Sequence, residues 1–175
     1  MMYKFNKIIK NSFLPISLIL IITLSRLIPH PYNFTPVIAA GIFSGFYFRQ
    51  FFLGFFIIIF SMFIGDLYLG FHNTMFFTYI ALIVPVTLGI FIKRFRFSEI
   101  LVGGLISSVC FFLVTNLGAW ITLDMYEKNL DGLLTSYVLA IPFFHNTLIS
   151  TFLYLILLKL LFDFIIRKKI IKTFA

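Results

Sequence analysis

Two long apolar runs flank the stretch Arg26-Leu-Ile-Pro-His-Pro-Tyr-Asn-Phe-Thr-Pro36, and the second run opens with Val37-Ile-Ala-Ala-Gly-Ile-Phe-Ser-Gly45. Three prolines, a histidine, an arginine and an asparagine lie in this short polar stretch. Polar and ionisable groups are costly inside a bilayer, so such a cluster between apolar runs is typical of a functional loop at a membrane surface.

The composition places the chain among integral membrane proteins. Its 175 residues fit one domain, and 61% of them are hydrophobic while 11% are charged. A typical soluble domain has about 25% charged residues. A soluble domain of this size cannot hide so much apolar surface, but a lipid bilayer can. We therefore predict an all-α integral membrane protein with a single transmembrane domain over residues 1–175.

The net charge of +8 comes from basic residues that lie mainly at the ends of the apolar runs. This distribution is typical of topology signals and of attraction to anionic lipid headgroups, so membrane lipid is an expected partner and nucleic acid is not. Three lysines precede the first apolar run, and no small-residue cleavage site follows it. This pattern favours an uncleaved first span over a signal peptide.

About six membrane spans are predicted. They cover residues 12–27, 35–48, 51–69, 74–92, 99–119 and 142–161. The last apolar stretch, residues 132–166, is too long for one perpendicular span at about 1.5 Å per residue. Pro142 divides this stretch and can occupy the first turn of a helix. We therefore expect the sixth helix to begin at Pro142, and residues 133–141 to form an interfacial or re-entrant segment.

The second predicted span is short, since its length of roughly 21 Å falls below a hydrocarbon core of about 30 Å. It must be tilted, extended by its neighbours or sheltered within the bundle. Gly41 and Gly45 have the spacing at which small residues bring two helices close together, within the same chain or with a partner subunit. Pro85 is expected to kink the fourth span.

The distribution of lysine and arginine predicts the topology. With the N-terminus in the cytoplasm, eleven lysine and arginine residues lie on the inner side, and only Arg26 and Lys128 lie outside. This bias follows the positive-inside rule. We therefore predict a multi-pass protein of the inner (cytoplasmic) membrane with both termini in the cytoplasm.

This topology gathers polar residues from three outer connections and from the start of the sixth span. The predicted ligand-binding residues are Arg26, His30, Asn33, Asp66, His72, Asn116, Trp120, His145 and Asn146. In a pocket, Arg26 would pair with an anionic ligand group or with Asp66, the amides would orient the ligand and the aromatic rings would stack on it. Alternatively, Arg26 and Asp66 form a structural ion pair, the asparagines bond neighbouring helices and Trp120 anchors the chain at the membrane interface.

The sequence contains no recognisable catalytic motif. The three histidines match no H-E-x-x-H or similar metal-binding pattern, and neither a G-x-S-x-G motif nor a glycine-rich phosphate loop occurs. The middle of each span is nearly free of charge, which argues against an ion pore or a proton relay formed by this chain alone. We expect neither an enzyme nor a bound cofactor or metal.

Four segments resemble an uncharacterised family of small bacterial membrane proteins, with the signature R-L-x-P-H-P-x-N-F-T-P. They are Arg26-Leu-Ile-Pro-His-Pro-Tyr-Asn-Phe-Thr-Pro36, Gly65-Asp-Leu-Tyr-Leu-Gly-Phe-His72, Val114-Thr-Asn-Leu-Gly-Ala-Trp120 and Ala140-Ile-Pro-Phe-Phe-His-Asn-Thr147. The similarity extends from Arg26 to about Leu161. It implies no assigned chemistry.

In architecture the chain resembles the substrate-binding S components of energy-coupling-factor vitamin transporters, which have about six helices and a pocket roofed by outer loops. The resemblance implies capture of a vitamin-like small-molecule ligand, and partnership with a membrane coupling subunit and two cytoplasmic ATPases. S components commonly carry a small-residue motif in the first helix, whereas the nearest equivalent here is Ala39 to Gly45 in the second span. A non-catalytic membrane scaffold or cell-envelope assembly protein is the alternative function.

Overall fold

The computed structural model describes the backbone of residues 2–174 and the side chains of residues 14–164. Within residues 2–174 all regular structure is α-helical. The helices are α1 (Met2–Leu27), α2 (Val37–Phe48), α3 (Phe51–Leu69), α4 (Met75–Ala81), α5 (Ile83–Phe91), α6 (Phe97–Thr122) and α7 (Leu130–Phe174). Only Leu82 separates α4 from α5, so the seven segments correspond to six apolar runs.

The interruption at Leu82 has a local cause in Pro85. Proline has no backbone N–H, so Pro85 cannot bond the carbonyl oxygen of Ala81 as a helical residue would. Just before the proline, the Leu82 N–H donates to the carbonyl oxygen of Tyr79, three residues back and not four as in an α-helix, at 3.2 Å. The fourth apolar run therefore changes its hydrogen-bonding pattern just before its proline.

Within residues 14–164, three helices are long and apolar enough to cross a membrane. They are Phe51–Leu69, Phe97–Thr122 and Leu130–Phe164. Large apolar side chains also cover much of the outer surface; on α3, for example, Phe52, Phe56, Phe60 and Phe63 are exposed at helical spacing. Such a surface is unfavourable in water and suited to lipid. Both observations support the prediction of an all-α membrane protein.

The prediction that a helix begins at Pro142 is wrong, because α7 runs from Leu130 through Pro142 without a break. Membrane helices tolerate an internal proline where neighbouring groups compensate for the lost hydrogen bond. Here the segment before the proline packs against α6. The Ser136 hydroxyl is fully buried, and the Tyr137 hydroxyl donates to the carbonyl oxygen of Leu113 at 3.0 Å. Residues 133–141 are therefore the first part of α7, not a separate segment.

The short helix α2 lies at the centre of the bundle. It packs against α1, α3, α5, α6 and α7, and residues 37–45 are all buried. A Cβ atom built on Gly45 would overlap the carbonyl oxygen of Val86, and one built on Gly89 would overlap that of Ile42. The backbones of α2 and α5 are therefore in direct contact, and Gly45 serves packing within the chain. Its neighbours shelter the short helix.

The two ends of the bundle differ in chemistry. Residues 28–36, 70–74 and 123–129 connect helices at one end, which we call the polar end. Residues 49–50 and 92–96 connect helices at the opposite end, the basic end. There Arg49 donates to the carbonyl oxygens of Ile90 and Lys93. Four stacked or edge-to-face rings fill the centre beside it, namely Phe43, Phe46, Phe95 and Phe162.

Candidate ligand-binding cavity

A cavity of about 650 Å³ opens at the polar end. Small-molecule sites in proteins usually measure about 300–1,000 Å³. All three connections of the polar end contribute to its wall, together with α1, α2, α3, α4, α6 and α7. Its polar lining consists of Arg26, His30, Asn33, Thr35, His72, Thr74, Thr78, Thr115, Asn116, Tyr126, Thr147, Ser150 and Thr151. Its size and its mixed polar and apolar lining suit a small organic molecule.

The cavity lies above the first turn of α2, which forms its floor. The twelve residues of α2 span roughly 18 Å at about 1.5 Å per residue. Val37 and Ile38, at the start of this helix, line the cavity, whereas α7 lines it from Leu139 to Thr151. A central helix that ends partway through the bundle leaves space that the longer surrounding helices enclose.

The floor of the cavity presents unpaired backbone donors. Pro36 occupies the N-cap position of α2 and supplies no side-chain cap. Among the described residues, no acceptor bonds the N–H groups of Val37 or Ile38, the two residues of α2 that line the cavity. The first N–H groups of a helix carry partial positive charge and usually find a side chain, water or ligand as acceptor.

One wall of the cavity is braced by a buried network that joins α1, α3 and α4. Arg26 donates from Nη2 to Oδ1 of Asp66 at 2.5 Å, and from Nη1 to the carbonyl oxygen of Met62 at 2.7 Å. The hydroxyl of Tyr79 donates to Oδ2 of Asp66 at 2.6 Å. Asp66 is only 1% exposed and both of its carboxylate oxygens are bonded. It is therefore a structural partner of Arg26 and does not line the cavity.

Gly65 makes room for this network. A Cβ atom at residue 65 would lie 2.5 Å from Nη1 of Arg26. Glycine leaves the guanidinium room to approach α3 closely and to reach both the Met62 carbonyl and Asp66. The pair Gly65-Asp66 in the sequence thus has a combined structural role, since one residue provides the space and the other the counter-charge.

Two histidines line the rim of the cavity from different connections. Nδ1 of His30 lies 2.6 Å from the carbonyl oxygen of Ile28, which can only accept, so Nδ1 carries the proton. Nδ1 of His72 lies 2.8 Å from the hydroxyl of Thr74. In each ring these bonds leave Nε2 for another partner. Within the described side chains, no three histidine, cysteine, aspartate or glutamate residues form a group that could hold a metal ion.

Hydroxyl and amide groups cover the walls formed by α4, α6 and α7. The hydroxyls of Thr78, Thr115 and Ser150 each donate to a carbonyl oxygen of their own helix. Their oxygens keep lone pairs that can accept a hydrogen bond from a ligand. The side-chain nitrogen of Asn116 donates to the carbonyl oxygen of Phe112 at 2.7 Å. No donor among the described residues bonds its side-chain oxygen, which leaves an acceptor on the cavity wall.

The connection 123–129 forms the roof of the cavity. Met125 and Tyr126 line the cavity from this segment. Three hydrogen bonds stabilise the roof, and two of them join it to Trp120 near the end of α6. The indole nitrogen of Trp120 donates to the carbonyl oxygen of Glu127 at 2.8 Å, and Lys128 donates to the carbonyl oxygens of Trp120 and Leu123. Trp120 therefore positions the roof and is not itself part of the lining.

The cavity brings together five of the nine predicted ligand-binding residues. These are Arg26, His30, Asn33, His72 and Asn116. Asp66, Trp120, His145 and Asn146 lie outside its lining. Asn146 instead donates to the backbone of Tyr32 at 3.0 Å and so ties the first connection to α7. His145 lies on the exposed surface of α7.

Several hydroxyl residues of the lining were not among the predicted ligand-binding residues. Thr74 and Thr78, and likewise Thr147 and Thr151, are four residues apart and share one helical face. That spacing is the signal that could have identified them. It is weak, because a threonine hydroxyl in an apolar helix usually bonds its own backbone, as Thr78 does here.

Comparison with known proteins gives a family and no closer relative. No curated protein and no solved structure matches the chain significantly. The model of one protein family, described as a family of unknown function (DUF6580), matches residues 6–173. This match confirms the prediction of an uncharacterised family. Since it covers nearly the whole sequence, the chain belongs to the DUF6580 family.

Proposed function

We propose that the protein is the membrane-embedded substrate-binding component of an uptake system for a vitamin-like small molecule. The observation that carries this proposal is the cavity of about 650 Å³, which is built from every connection of the polar end. Such a cavity is large enough for a compact organic ligand. Its hydroxyl, amide, imidazole and guanidinium groups can orient a ligand without any catalytic step.

The proposed orientation follows from charge. The positive-inside rule would place the basic end in the cytoplasm and the polar end outside the inner membrane. The cavity would then receive its ligand from outside. Below the floor, the rings of Phe43, Phe46, Phe95 and Phe162 fill the centre of the bundle, with centroid separations of 4.7–6.2 Å. Release toward the cytoplasm would require these helices to move, which favours a partner that supplies energy.

The proposed partner is a membrane coupling subunit with cytoplasmic ATPases, as in S components. The small-residue face of α2 cannot form that contact, because Gly45 meets the backbone of α5 inside the bundle. A coupling subunit would have to dock on the apolar outer faces instead, of which the exposed side of α3 is one. The proposal therefore rests on the cavity and on the helical architecture, not on a docking motif.

Native mass spectrometry of the purified chain tests the proposal directly. We expect a co-purified small molecule that is retained in His145→Ala and reduced in Asn116→Ala. His145 is a matched control, because it is polar and lies outside the lining, whereas Asn116 presents an acceptor to the cavity. Equal retention of the molecule by both variants would contradict the proposal.

A membrane scaffold is the second candidate function, and one observation favours it. Four predicted site residues join elements of the chain to one another, namely Arg26, Asp66, Trp120 and Asn146. A scaffold would need such bonds and no ligand. In-cell crosslinking separates the two candidates, since a scaffold would recover cell-envelope proteins and a binding component would recover transport ATPases.

A further inference from the structure

The ionisable side chains among the described lining residues include no carboxylate. Arg26, His30, His72 and Tyr126 reach the wall, and no aspartate or glutamate lies among the described lining residues. Asp66, the nearest acid in the network, lies behind Arg26 and is 1% exposed. A ligand in the cavity therefore meets the guanidinium and not the carboxylate.

Arg26 has N–H donors that no described residue accepts. A guanidinium carries five N–H donors, and the described residues accept only two bonds from it, at Met62 and Asp66. The side chain is 12% exposed, and that exposed part contributes to the cavity lining. Its planar fork is preorganised for a carboxylate or a similar oxyanion. The ion pair with Asp66 fixes the orientation of this fork.

Other parts of the cavity wall are either partially positive or uncharged. The free N–H groups of Val37 and Ile38 add partial positive charge at the floor, although the guanidinium is the main determinant. The wall formed by α6 and α7 is apolar between its hydroxyls, with Phe111, Leu139 and Phe143. The two acids of the roof segment, Asp124 and Glu127, are exposed and lie outside the lining. An organic cation would therefore find no carboxylate partner among the described lining residues, whereas it would face Arg26.

We infer that the cavity selects a small organic anion, such as a carboxylate with an apolar or aromatic body, over amines of the same shape. This inference rests on the proposed function, because it names the chemical class of the molecule that the cavity takes up. The acid group is bound on the side of Arg26, and the apolar body lies against α6 and α7.

The experiment has two readouts on the full chain purified in lipid nanodiscs. Denaturing extraction followed by mass spectrometry in both ion modes identifies any co-purified molecule. Titration with benzoate, benzamide and benzylamine, which share one ring, compares an acid, a neutral amide and a cation. We expect an extracted acid, and benzoate binding at least about tenfold tighter than benzylamine. Hydrogen bonds to charged groups support a difference of this order.

Two other outcomes would overturn one or both proposals. Extraction of an amine, or equal binding of benzoate and benzylamine, overturns the inference while the proposed uptake function stands. Extraction of no molecule, combined with no binding of any of the three probes, overturns both. The two proposals therefore fail in different ways.

A paired substitution tests the role of Arg26 without leaving a buried charge unpaired. The variant R26Q/D66N removes both charges of the buried ion pair, and we expect about ten- to hundredfold weaker benzoate binding with benzamide binding little changed. K159Q/D163N is the matched control, because it removes an ion pair outside the cavity. Wild-type benzoate affinity in folded R26Q/D66N overturns the inference. If that variant does not fold, the preference of the wild type for benzoate over benzylamine decides alone.

Discussion

Replacing Gly45 by alanine tests the contact between α2 and α5, on which the position of the cavity floor depends. A Cβ atom at residue 45 would overlap the carbonyl oxygen of Val86 and lie 3.1 Å from the amide nitrogen of Ile90. Both are backbone atoms of a helix, so they cannot move aside as the end of a flexible side chain can. The two helices would have to separate.

Two opposing terms decide the size of the effect. Overpacking a well-packed core costs about 1–3 kcal/mol, and a clash with backbone belongs at the upper end of that range. Alanine recovers about 1 kcal/mol because it is a better helix former than glycine. The steric term is larger, so we expect a net loss of about 2 kcal/mol. At roughly 2–4 °C per kcal/mol for a chain of this size, Gly45→Ala should melt about 4–8 °C below the wild type.

Gly103→Ala is the matched control on α6. A Cβ atom there would lie 3.7 Å from Cδ1 of Ile92 and 3.8 Å from Cδ1 of Ile42, which are ordinary van der Waals contacts. Only the helix-propensity term then remains, so this variant should melt at or slightly above the wild-type temperature. Circular dichroism in one detergent measures all three proteins. A Gly45→Ala variant that melts no lower than Gly103→Ala would refute the described α2–α5 packing.

Three further predictions concern the cavity and its supports. Asp66→Ala removes the counter-charge of a buried guanidinium and should cost about 3–5 kcal/mol of stability; an unchanged melting temperature would contradict the buried ion pair. Trp120 is the only tryptophan in the sequence and holds the roof, so its fluorescence should change saturably when ligand is added, and constant emission on binding would argue against a roof contact. Asn116→Ala should weaken binding about tenfold, as expected for the loss of about 1.4 kcal/mol from one good hydrogen bond, while His145→Ala should leave titration curves unchanged; the reverse order would place the ligand elsewhere.

Local chemistry explains why most helix positions could be predicted. The run at 51–69 coincides with α3, which ends where Gly70 adopts a φ of 93° that few other residues tolerate. The helix expected from residue 35 begins at Val37, because Pro36 takes the N-cap position. The start expected at Pro142 was wrong for a different reason. Whether a proline ends a helix depends on the neighbours that hold the preceding turns, and α6 holds them here.

The candidate site was only partly predictable, because a sequence does not state which side of a helix faces a cavity. Asp66 and His72 both lie near the same connection, yet the first is buried behind Arg26 and the second lines the rim. Asn146 looks like a ligand contact in the sequence, but it bonds the first connection instead. Contacts between residues far apart in the chain decide these positions, such as that of Arg26 with Asp66 and that of Asn146 with Tyr32.

The sequence by itself determined that the chain forms apolar helices joined by short connections, and that polar groups gather at one end and basic groups at the other. It also determined that the second helix is short, since Pro36 and Arg49-Gln50 bound it. Only the tertiary structure decided that this short helix lies at the centre. Contacts between residues far apart in the chain, such as Gly45 with Val86 and Gly89 with Ile42, place it there. Because a short helix at the centre cannot fill the bundle to its polar end, those contacts create the cavity.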